Sequence, residues 1–481
     1  MSNATTAEKD AASQPNTPLA AADATSVRQT INRPKSSRPR VVVIGGGFGG
    51  LEAVKALRGD EVDVTLIDRS NHHLFQPLLY QVATAGLVPA DIARPLREIF
   101  RHQRNVEVVL SEVRRVDVEG RKVITEDLVI EYDFLIVATG SRHSYFGHDD
   151  WEKFAPGLKN LSDAVEIRKR MLVAFEIAEK AVDQSERDAA MTFVIVGGGP
   201  TGVEMAGAIS EIARHTMTRD FRHIESAKAK VLVIEGGEHI LGAYPADLAA
   251  NGKRQLESIG VEVYEGLQVT NVTADGVEVK GGRFIPARTV VWAAGNAASP
   301  LGKSLGAPTD KAGRVVVNED LTIPNHPEVQ VIGDMANFSH QTGKPLPGVS
   351  PTAMQMGRHS ARNILETISG GKPMKFEYWD KGTMATIGRN KAVADLHWVH
   401  FGGFLAWISW AAIHLFYLVG YRNRFAVMGE WIWNYVTFYK GSRLITGTQD
   451  GFDNLRHPAP GAEPDVAPAT AVTSAPGSSK P

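Results

Sequence analysis

The chain contains no cysteine in 481 residues. Disulfides, thiolate metal sites and redox-active dithiols are therefore excluded. Charge of one sign is lacking as well. The 52 Lys and Arg stand against 54 Asp and Glu, a formal net charge of −2, which gives no reason to expect nucleic acid as a partner. The first 38 residues have no apolar run, so a secretory signal is not expected, and Glu8, Asp10 and Asp23 argue against an acid-poor transit peptide. This Ala/Ser/Thr/Asp/Pro-rich stretch, 1–38, reads as a disordered tail, as does the Pro/Ala/Ser-rich stretch 456–481. Metal-ligand spacing is missing, and His72-His73 and His397/His400 read as loop or surface residues. Between the tails there is room for two or three domains, and 43% hydrophobic content is enough for ordinary cores.

What is present begins with Val41-Val-Val-Ile44, a short run of β-branched residues that predicts a buried parallel strand. It runs into Gly45-Gly46-Gly47-Phe48-Gly49-Gly50, and Leu51 to Leu57 then has helical spacing. In such a unit Gly45 makes the tight turn, Gly47 admits a pyrophosphate, and Gly50 lets helix pack on strand. The phosphates sit on unpaired N–H groups of the helix N-terminus. A second strand, Val62 to Ile67, ends at Asp68, where a carboxylate holds ribose hydroxyls.

The unit recurs. Phe193-Val-Ile-Val196 leads into Gly197-Gly198-Gly199-Pro200-Thr201-Gly202, a helix follows, and Lys230 to Ile234 ends at Glu235. A polar insertion, Thr218 to Ala229, lengthens this second unit. The strand end Ala138-Thr139-Gly140 is echoed by Ala293-Ala294-Gly295, and Val329 to Asp334 is a further strand closing on Gly333-Asp334. Ser350 to Ser369 predicts a helix. The fold class expected is α/β, with two Rossmann-like dinucleotide-binding domains. The boundaries drawn are 39–150 and 321–370 for a first, discontinuous domain, 151–320 for the second, and 371–455 for a C-terminal segment.

Phe75-Gln-Pro-Leu-Leu-Tyr80 mixes polar and apolar residues without a period. It is expected either to line a cleft or to fold back on the core. Val399 to Tyr421 carries no Asp, Glu, Lys or Arg. Trp407 and Trp410 lie near its middle, and a second aromatic stretch, Trp431 to Tyr439, follows. Spanning helices keep Trp at their ends, so helices lying in a membrane interface are expected. Arg422, Arg424, Lys440 and Arg443 suit anionic headgroups. A single spanning helix and a buried or dimer helix are the competing readings.

Together these motifs resemble the flavoprotein disulfide reductase superfamily, which has two dinucleotide-binding domains. Within it the chain most resembles the type II NADH dehydrogenases, from about Arg38 to Thr446. The diagnostic stretches are the Phe75 loop, Gly197-Gly-Gly-Pro-Thr-Gly-Val-Glu204 and the aromatic C-terminal segment. The absence of cysteine separates it from disulfide reductases and sulfide:quinone oxidoreductases, which need cysteines beside the flavin.

The resemblance implies FAD on the Gly45 loop with Asp334, and NADH on the Gly197 loop. Thr139-Gly140 and Gly295 would be the turns between domains. Hydride would pass from NADH to FAD and two electrons to a membrane quinone, without proton pumping, in a monotopic protein and possible homodimer. An enzyme of this kind is expected on the cytoplasmic face. Glu204 would lie near nicotinamide and flavin, against the plainer reading of a carboxylate at a helix N-terminus. Glu235 would hold the adenosine ribose and repel a 2′-phosphate, favouring NADH over NADPH. Gln355 and Lys391 would lie near the quinone head, although Lys391 also reads as a solvated lysine. In the family's Ala-Gln-x-Ala-x-Gln signature the first glutamine is replaced here by Pro351. A soluble flavin oxidase or diaphorase, and a non-catalytic redox sensor, are the competing functions.

Overall fold

In the computed structural model the described residues are 29–30, 37–59 and 61–446. The expected C-terminal tail and most of the N-terminal one lie outside them. Gln29–Thr30 departs from the disorder expected of 1–38: it pairs in parallel with Leu128–Val129. Backbone pairing on an open sheet edge needs no particular composition.

The first domain is built on a six-stranded sheet. In spatial order its strands are Thr322–Ile323, His326–Val331, Phe134–Val137, Arg40–Ile44, Asp63–Asp68 and Val106–Leu110. Val41 to Ile44 are buried, as the β-branched run predicts. Helix α1 (Phe48–Ala56) follows the glycine loop. The late strand His326–Val331 pairs in parallel with Phe134–Val137, so the chain does return to this domain.

The second domain has a four-stranded parallel sheet ordered Val261–Tyr264, Lys230–Ile234, Thr192–Val196 and Thr289–Trp292. Helix α2 (Leu161–Lys180) precedes it and starts on an Asn160/Asp163 capping box. Helix α3 (Pro200–Glu211) follows the second glycine loop.

The domain crossings fall earlier than composition suggests. Ser141–His143 pairs antiparallel with Asn296–Ala298, so the outgoing and returning chains form one ribbon. Tyr145 and Trp151 already pack with the second sheet, while Leu301, Leu305, Val315 and Val317 already pack with the first. The boundaries therefore lie near residues 141 and 298 instead of 150 and 320. Tertiary packing decides them, because the strand pairing that joins the two crossings links residues more than 150 apart in sequence.

Helix α4 (Ser350–Ile368) packs against α1 with Gly49 and Gly357 at the contact. Three antiparallel strands, Thr383–Gly388, Lys391–Asp395 and His400–Gly402, follow, and the first of them lies against α3. Gly207 makes that approach possible, since a Cβ there would stand 1.7 Å from the Ile387 carbonyl oxygen. Helices α5 (Phe404–Tyr417) and α6 (Tyr421–Thr437) complete the described chain. The chain around the start of the second unit's insertion anchors their far end: Thr216, just before it, donates to the Phe438 carbonyl at 3.0 Å, and Asp220 within it pairs with Arg443.

A single spanning helix is overturned. The charge-free stretch breaks at Gly403 and again at Leu418–Gly420. The 14 residues of α5 rise only about 21 Å and the 17 of α6 about 26 Å, against roughly 30 Å of hydrocarbon. Among the described residues no helix is long and apolar enough to cross a membrane.

Candidate active site

The two glycine loops are geometric copies. Gly45 and Gly197 adopt φ of +103° and +107°, a left-handed backbone that a side chain would strain. A Cβ on Gly50 would stand 1.8 Å from the Gly45 carbonyl oxygen, and one on Gly202 would stand 1.9 Å from that of Gly197. A Cβ built on Gly47 or Gly199 would point into space with no atom of the described residues within 4 Å beyond its own chain neighbours and helix, which leaves the approach a pyrophosphate needs.

The acids at the strand ends repeat as well. Asp68 Oδ2 accepts the Gly46 N–H at 2.6 Å and its Oδ1 accepts that of Ser70 at 2.6 Å. Glu235 Oε2 accepts the Gly198 N–H at 2.6 Å and its Oε1 accepts that of Gly237 at 2.6 Å. Each carboxylate staples a loop to its neighbouring strand and keeps lone pairs for a ribose diol. Burial lifts the Asp68 pKa above its ordinary value, opposed by the bonds from Gly46 and Ser70.

One cavity of about 1820 Å³ joins the domains. It exceeds an ordinary small-molecule pocket of roughly 300–1,000 Å³, and so has room for more than one extended ligand. Gly45, Gly47, Phe48, Gly49, Asp68, Thr139, Gly140, Pro200, Thr201, Glu204, Gly295, Asp334 and Gln355 all line it. Gly50 and Gly202 lie beneath their loops as packing glycines, and Gly197, Gly199 and Glu235 form the second loop outside this cavity. The open cradles and paired strand-end acids fit two dinucleotides. Asp334 Oδ2 accepts the Ser141 hydroxyl at 2.7 Å, and Lys159 Nζ donates to that same hydroxyl at 3.1 Å. Lys159 has no signature in sequence; burial lowers its pKa, and Asp334 opposes the shift.

Glu204 faces this cavity from the first turns of α3. Burial pushes its pKa up to about 8, against a counteracting backbone hydrogen bond from Thr386. A carboxyl group that keeps its proton at neutral pH can donate it. Tyr80 and Tyr244 face it, and its charge raises both phenol pKa values further beyond what burial does. The Phe75 loop does both things expected of it. Phe75, Leu78 and Leu79 are core residues, while Phe75, Leu79 and Tyr80 also wall the cavity.

Other expectations are revised. Lys391 opens a strand just beyond the Arg389–Asn390 turn and is not part of the cavity wall. Lys381 does line that wall, as do Lys159 and Lys303; it lies over Trp379 at 5.0 Å and donates to the Tyr417 hydroxyl at 3.2 Å. Lys381 precedes the first strand of the hairpin and Lys391 opens the second, so which of the two reaches the cavity is decided by long-range packing. Gln355 lines the cavity, but both ends of its amide are engaged by the Trp379 backbone. Pro351 occupies the first turn of α4, where its missing N–H costs nothing.

His73 is not a surface residue. It is 1% exposed, its Nδ1–H donates to the Gly46 carbonyl at 2.9 Å, and burial lowers its pKa to about 4. His414 lines the cavity from α5. Its Nδ1–H donates to the Trp410 carbonyl at 2.7 Å, and burial lowers its pKa to about 4. Neither role has a signature in sequence, because both depend on burial.

The chain matches known proteins along most of its length. Residues 39–357 match the pyridine nucleotide-disulphide oxidoreductase family and residues 380–437 the NDH2 C-terminal domain. It is 43% identical over 427 residues to the type II NADH:quinone oxidoreductase Ndh of Mycobacterium tuberculosis, covering 86% of this chain and 91% of that one. NdhA of the same organism is 44% identical, over 85% and 90% of the two chains. In fold it is similar to NDH2 from Plasmodium falciparum in complex with NADH. That similarity has a TM-score of 0.77 at 19% identity and covers 85% of this chain and all of that one. With its paired nucleotide units, cysteine-free cavity and aromatic C-terminal helices, the chain belongs to the type II NADH:quinone oxidoreductases of the pyridine nucleotide-disulphide oxidoreductase family.

Proposed function

We infer that this protein is an FAD-dependent NADH:quinone oxidoreductase. It passes hydride from NADH to FAD and then two electrons to a membrane quinone. The observation that carries this reading is the continuity of one cavity. It begins at the Gly45 loop, passes Glu204, and ends against Ile413, His414, Phe416 and Tyr417 of α5. A dinucleotide cradle thus shares its interior with an apolar wall suited to a quinone ring.

FAD, when bound, supplies the hydride acceptor and the two-electron carrier. The chain's own residues do the rest. The Gly45 and Gly197 loops hold phosphates, Asp68 and Glu235 hold riboses, and Glu235 selects NADH by opposing a 2′-phosphate. The Phe75 loop and α5 keep water from the reacting centre. Glu204 retains a proton at neutral pH beside that centre.

The same reading includes a lipid surface. Phe425, Met428, Ile432 and Val436 form an outward stripe along α6, and Phe404, Leu405, Ile408 and Phe416 continue it on α5. The inner faces of these helices are held by Trp410, Asn423 and Val427. Apolar side chains turned outward, with Arg422, Arg424 and Arg443 beside them, suit a bilayer interface. The protein would then be peripheral, on the cytoplasmic face, with its quinone tunnel opening towards lipid. A homodimer belongs to this proposal on family resemblance alone.

The test is anaerobic NADH oxidation with a short-chain quinone, against oxygen alone, combined with flotation on anionic vesicles. Quinone-dependent turnover, and flotation lost in an Ile432→Asp/Val436→Asp variant, support the reading. Oxygen serving as well as quinone, with no flotation, favours the soluble oxidase or diaphorase.

A further inference from the structure

Where α6 begins, a run of arginines from the first domain lies beside it. Residues 93–104 contain Arg94, Arg97, Arg101 and Arg104 against a single acid, Glu98. Arg97, Glu98, Arg101 and Arg104 are exposed. The short helix Leu96–Ile99 continues in a turn, with the Phe100 N–H donating to the Leu96 carbonyl, so Arg97 and Arg101 lie one turn apart. This run is part of the FAD side of the molecule. Ala93–Pro95 pairs antiparallel with His72–Leu74, and a Cβ on Gly46 of the first glycine loop would stand 2.7 Å from Leu96 Cδ1. Whatever holds these arginines holds the first domain.

Three contacts join the run to the C-terminal helices. Arg94 Nη2 pairs with Glu98 Oε1 at 3.0 Å, and its Nη1 lies so close to the turn between α5 and α6 that a Cβ on Gly420 would stand 2.5 Å from it. Asn423 Nδ2 donates to the Ala90 and Asp91 carbonyls at 3.0 and 2.9 Å. Arg422 acts across the junction. The bond from Arg94 holds the Glu98 pKa below its ordinary value, and Arg101 and Arg422 push it the same way. Arg422 also opposes the burial that raises the Asp91 pKa. Against Asp91 and Glu98 stand Arg94, Arg97, Arg101, Arg104 and Arg422, so positive charge is in excess. Arg97 and Arg422 have no ion pair among the described residues. Next to Arg422 stand Tyr421 and Phe425, 78% and 68% exposed, at the start of the outward stripe of α6.

Positive charge bordering an outward apolar stripe matches headgroup phosphates above acyl chains. An acidic protein surface would satisfy the charge but not the stripe beside it. We propose that Arg97 and Arg101, with Arg94 and Arg422, form a second membrane contact, on the first domain, that takes the phosphates of anionic phospholipids. Helices α5 and α6 supply the apolar hold, which by itself lets the protein rock about one line. The arginine patch removes that freedom. It fixes the tilt of the first domain over the bilayer and keeps the cavity end at α5 turned to lipid. This rests on the lipid surface and the NADH:quinone reading above.

The test compares the FAD-loaded wild type with Arg97→Gln/Arg101→Gln on vesicles of phosphatidylcholine, alone or mixed with phosphatidylglycerol. Each arginine near an anionic surface strengthens partitioning about fivefold, so the double variant binds the mixed vesicles roughly 25-fold more weakly. Its binding to phosphatidylcholine alone is unchanged, and high salt abolishes the difference between the two proteins. FAD content and turnover with a water-soluble short-chain quinone stay at wild-type values, which shows that the variant is folded. Turnover with a long-chain quinone in mixed vesicles falls with binding, and Arg97→Lys/Arg101→Lys, which keeps the charge, restores both. If the double variant loses FAD, Arg101→Gln alone decides, with binding about fivefold weaker. Equal binding of wild type and variant to mixed vesicles overturns the proposal, as does wild-type binding that ignores phosphatidylglycerol. Wild-type protein that binds neither vesicle overturns the lipid surface as well, and failure to reduce the short-chain quinone overturns the functional reading instead.

Discussion

Gln355 clasps the backbone of Trp379 at both ends of its amide: Nε2 donates to the Trp379 carbonyl at 3.0 Å, and Oε1 accepts the Trp379 N–H at 3.0 Å. Trp379 itself is 71% exposed, and Lys381, two residues on, belongs to the cavity wall. The glutamine therefore ties the Trp379 segment to α4, and both ends of its amide are occupied.

Gln355→Leu keeps the side-chain bulk and removes both bonds, each worth about 1 kcal/mol. The quinone KM is expected to rise roughly three- to tenfold, while the rate of flavin bleaching by NADH stays unchanged. A quinone KM equal to wild type would show that the clasp does not shape the tunnel.

Glu235 anchors Gly198 and Gly237 and is the strand-end carboxylate of the second loop. Glu235→Ala is expected to lower kcat/KM for NADH by roughly 10- to 100-fold, the loss of charge-assisted hydrogen bonds. The value for NADPH should fall less or rise. Measuring both coenzymes with one quinone decides it, and an undiminished preference for NADH would refute the assignment.

Acid should loosen FAD through His73. Burial holds this imidazole neutral down to about pH 4, against an ordinary value of 6.5. The unfolded chain takes up the proton first as pH falls, so this stability is complete above about 6.5 and is lost towards about 4. His414 adds to the same limb. Because His73 holds Gly46 in the FAD loop, fluorescence from released FAD should rise across this window. His73→Gln should flatten the rise, and an identical pH profile would show that His73 is not its source.

The opposite sign holds for Glu204. Its proton stays bound up to about pH 8 in the folded protein, but only to about 4.5 in an ordinary carboxyl. Between these values the folded state binds more protons, so stability falls as pH rises and levels off above about 8. Glu204→Gln should remove this slope and raise Tm most at alkaline pH. The quinone half-reaction of the wild type should decline through the same upper pKa. A variant with the wild-type slope would place the raised pKa elsewhere.

Much of the fold and of the cofactor site is legible in the amino-acid sequence alone. The Gly45 and Gly197 loops, their acids Asp68 and Glu235, and the later Asp334 lie in short segments whose local geometry is dictated by strand, turn and helix chemistry. Spacing within one such unit is enough to identify it, and its repetition specifies two nucleotide domains. The resemblance to type II NADH dehydrogenases rests on the same local stretches.

What spacing cannot reach is contact between segments far apart in the chain. That Lys381 lines the cavity and Lys391 does not is decided by how the segment before the hairpin packs. Gln355 is occupied because Trp379 passes beside α4. His73, which reads as a surface residue, is buried because α1 and the glycine loop close over it. Glu204 shows its raised pKa only once the Thr383–Gly388 strand covers α3, through the close approach of Gly207 to Ile387. The two nucleotide units and their acids follow from sequence alone, because backbone conformation there is local. Burial is a product of long-range packing, and with it come the side chains that hold protons and the amides already bonded.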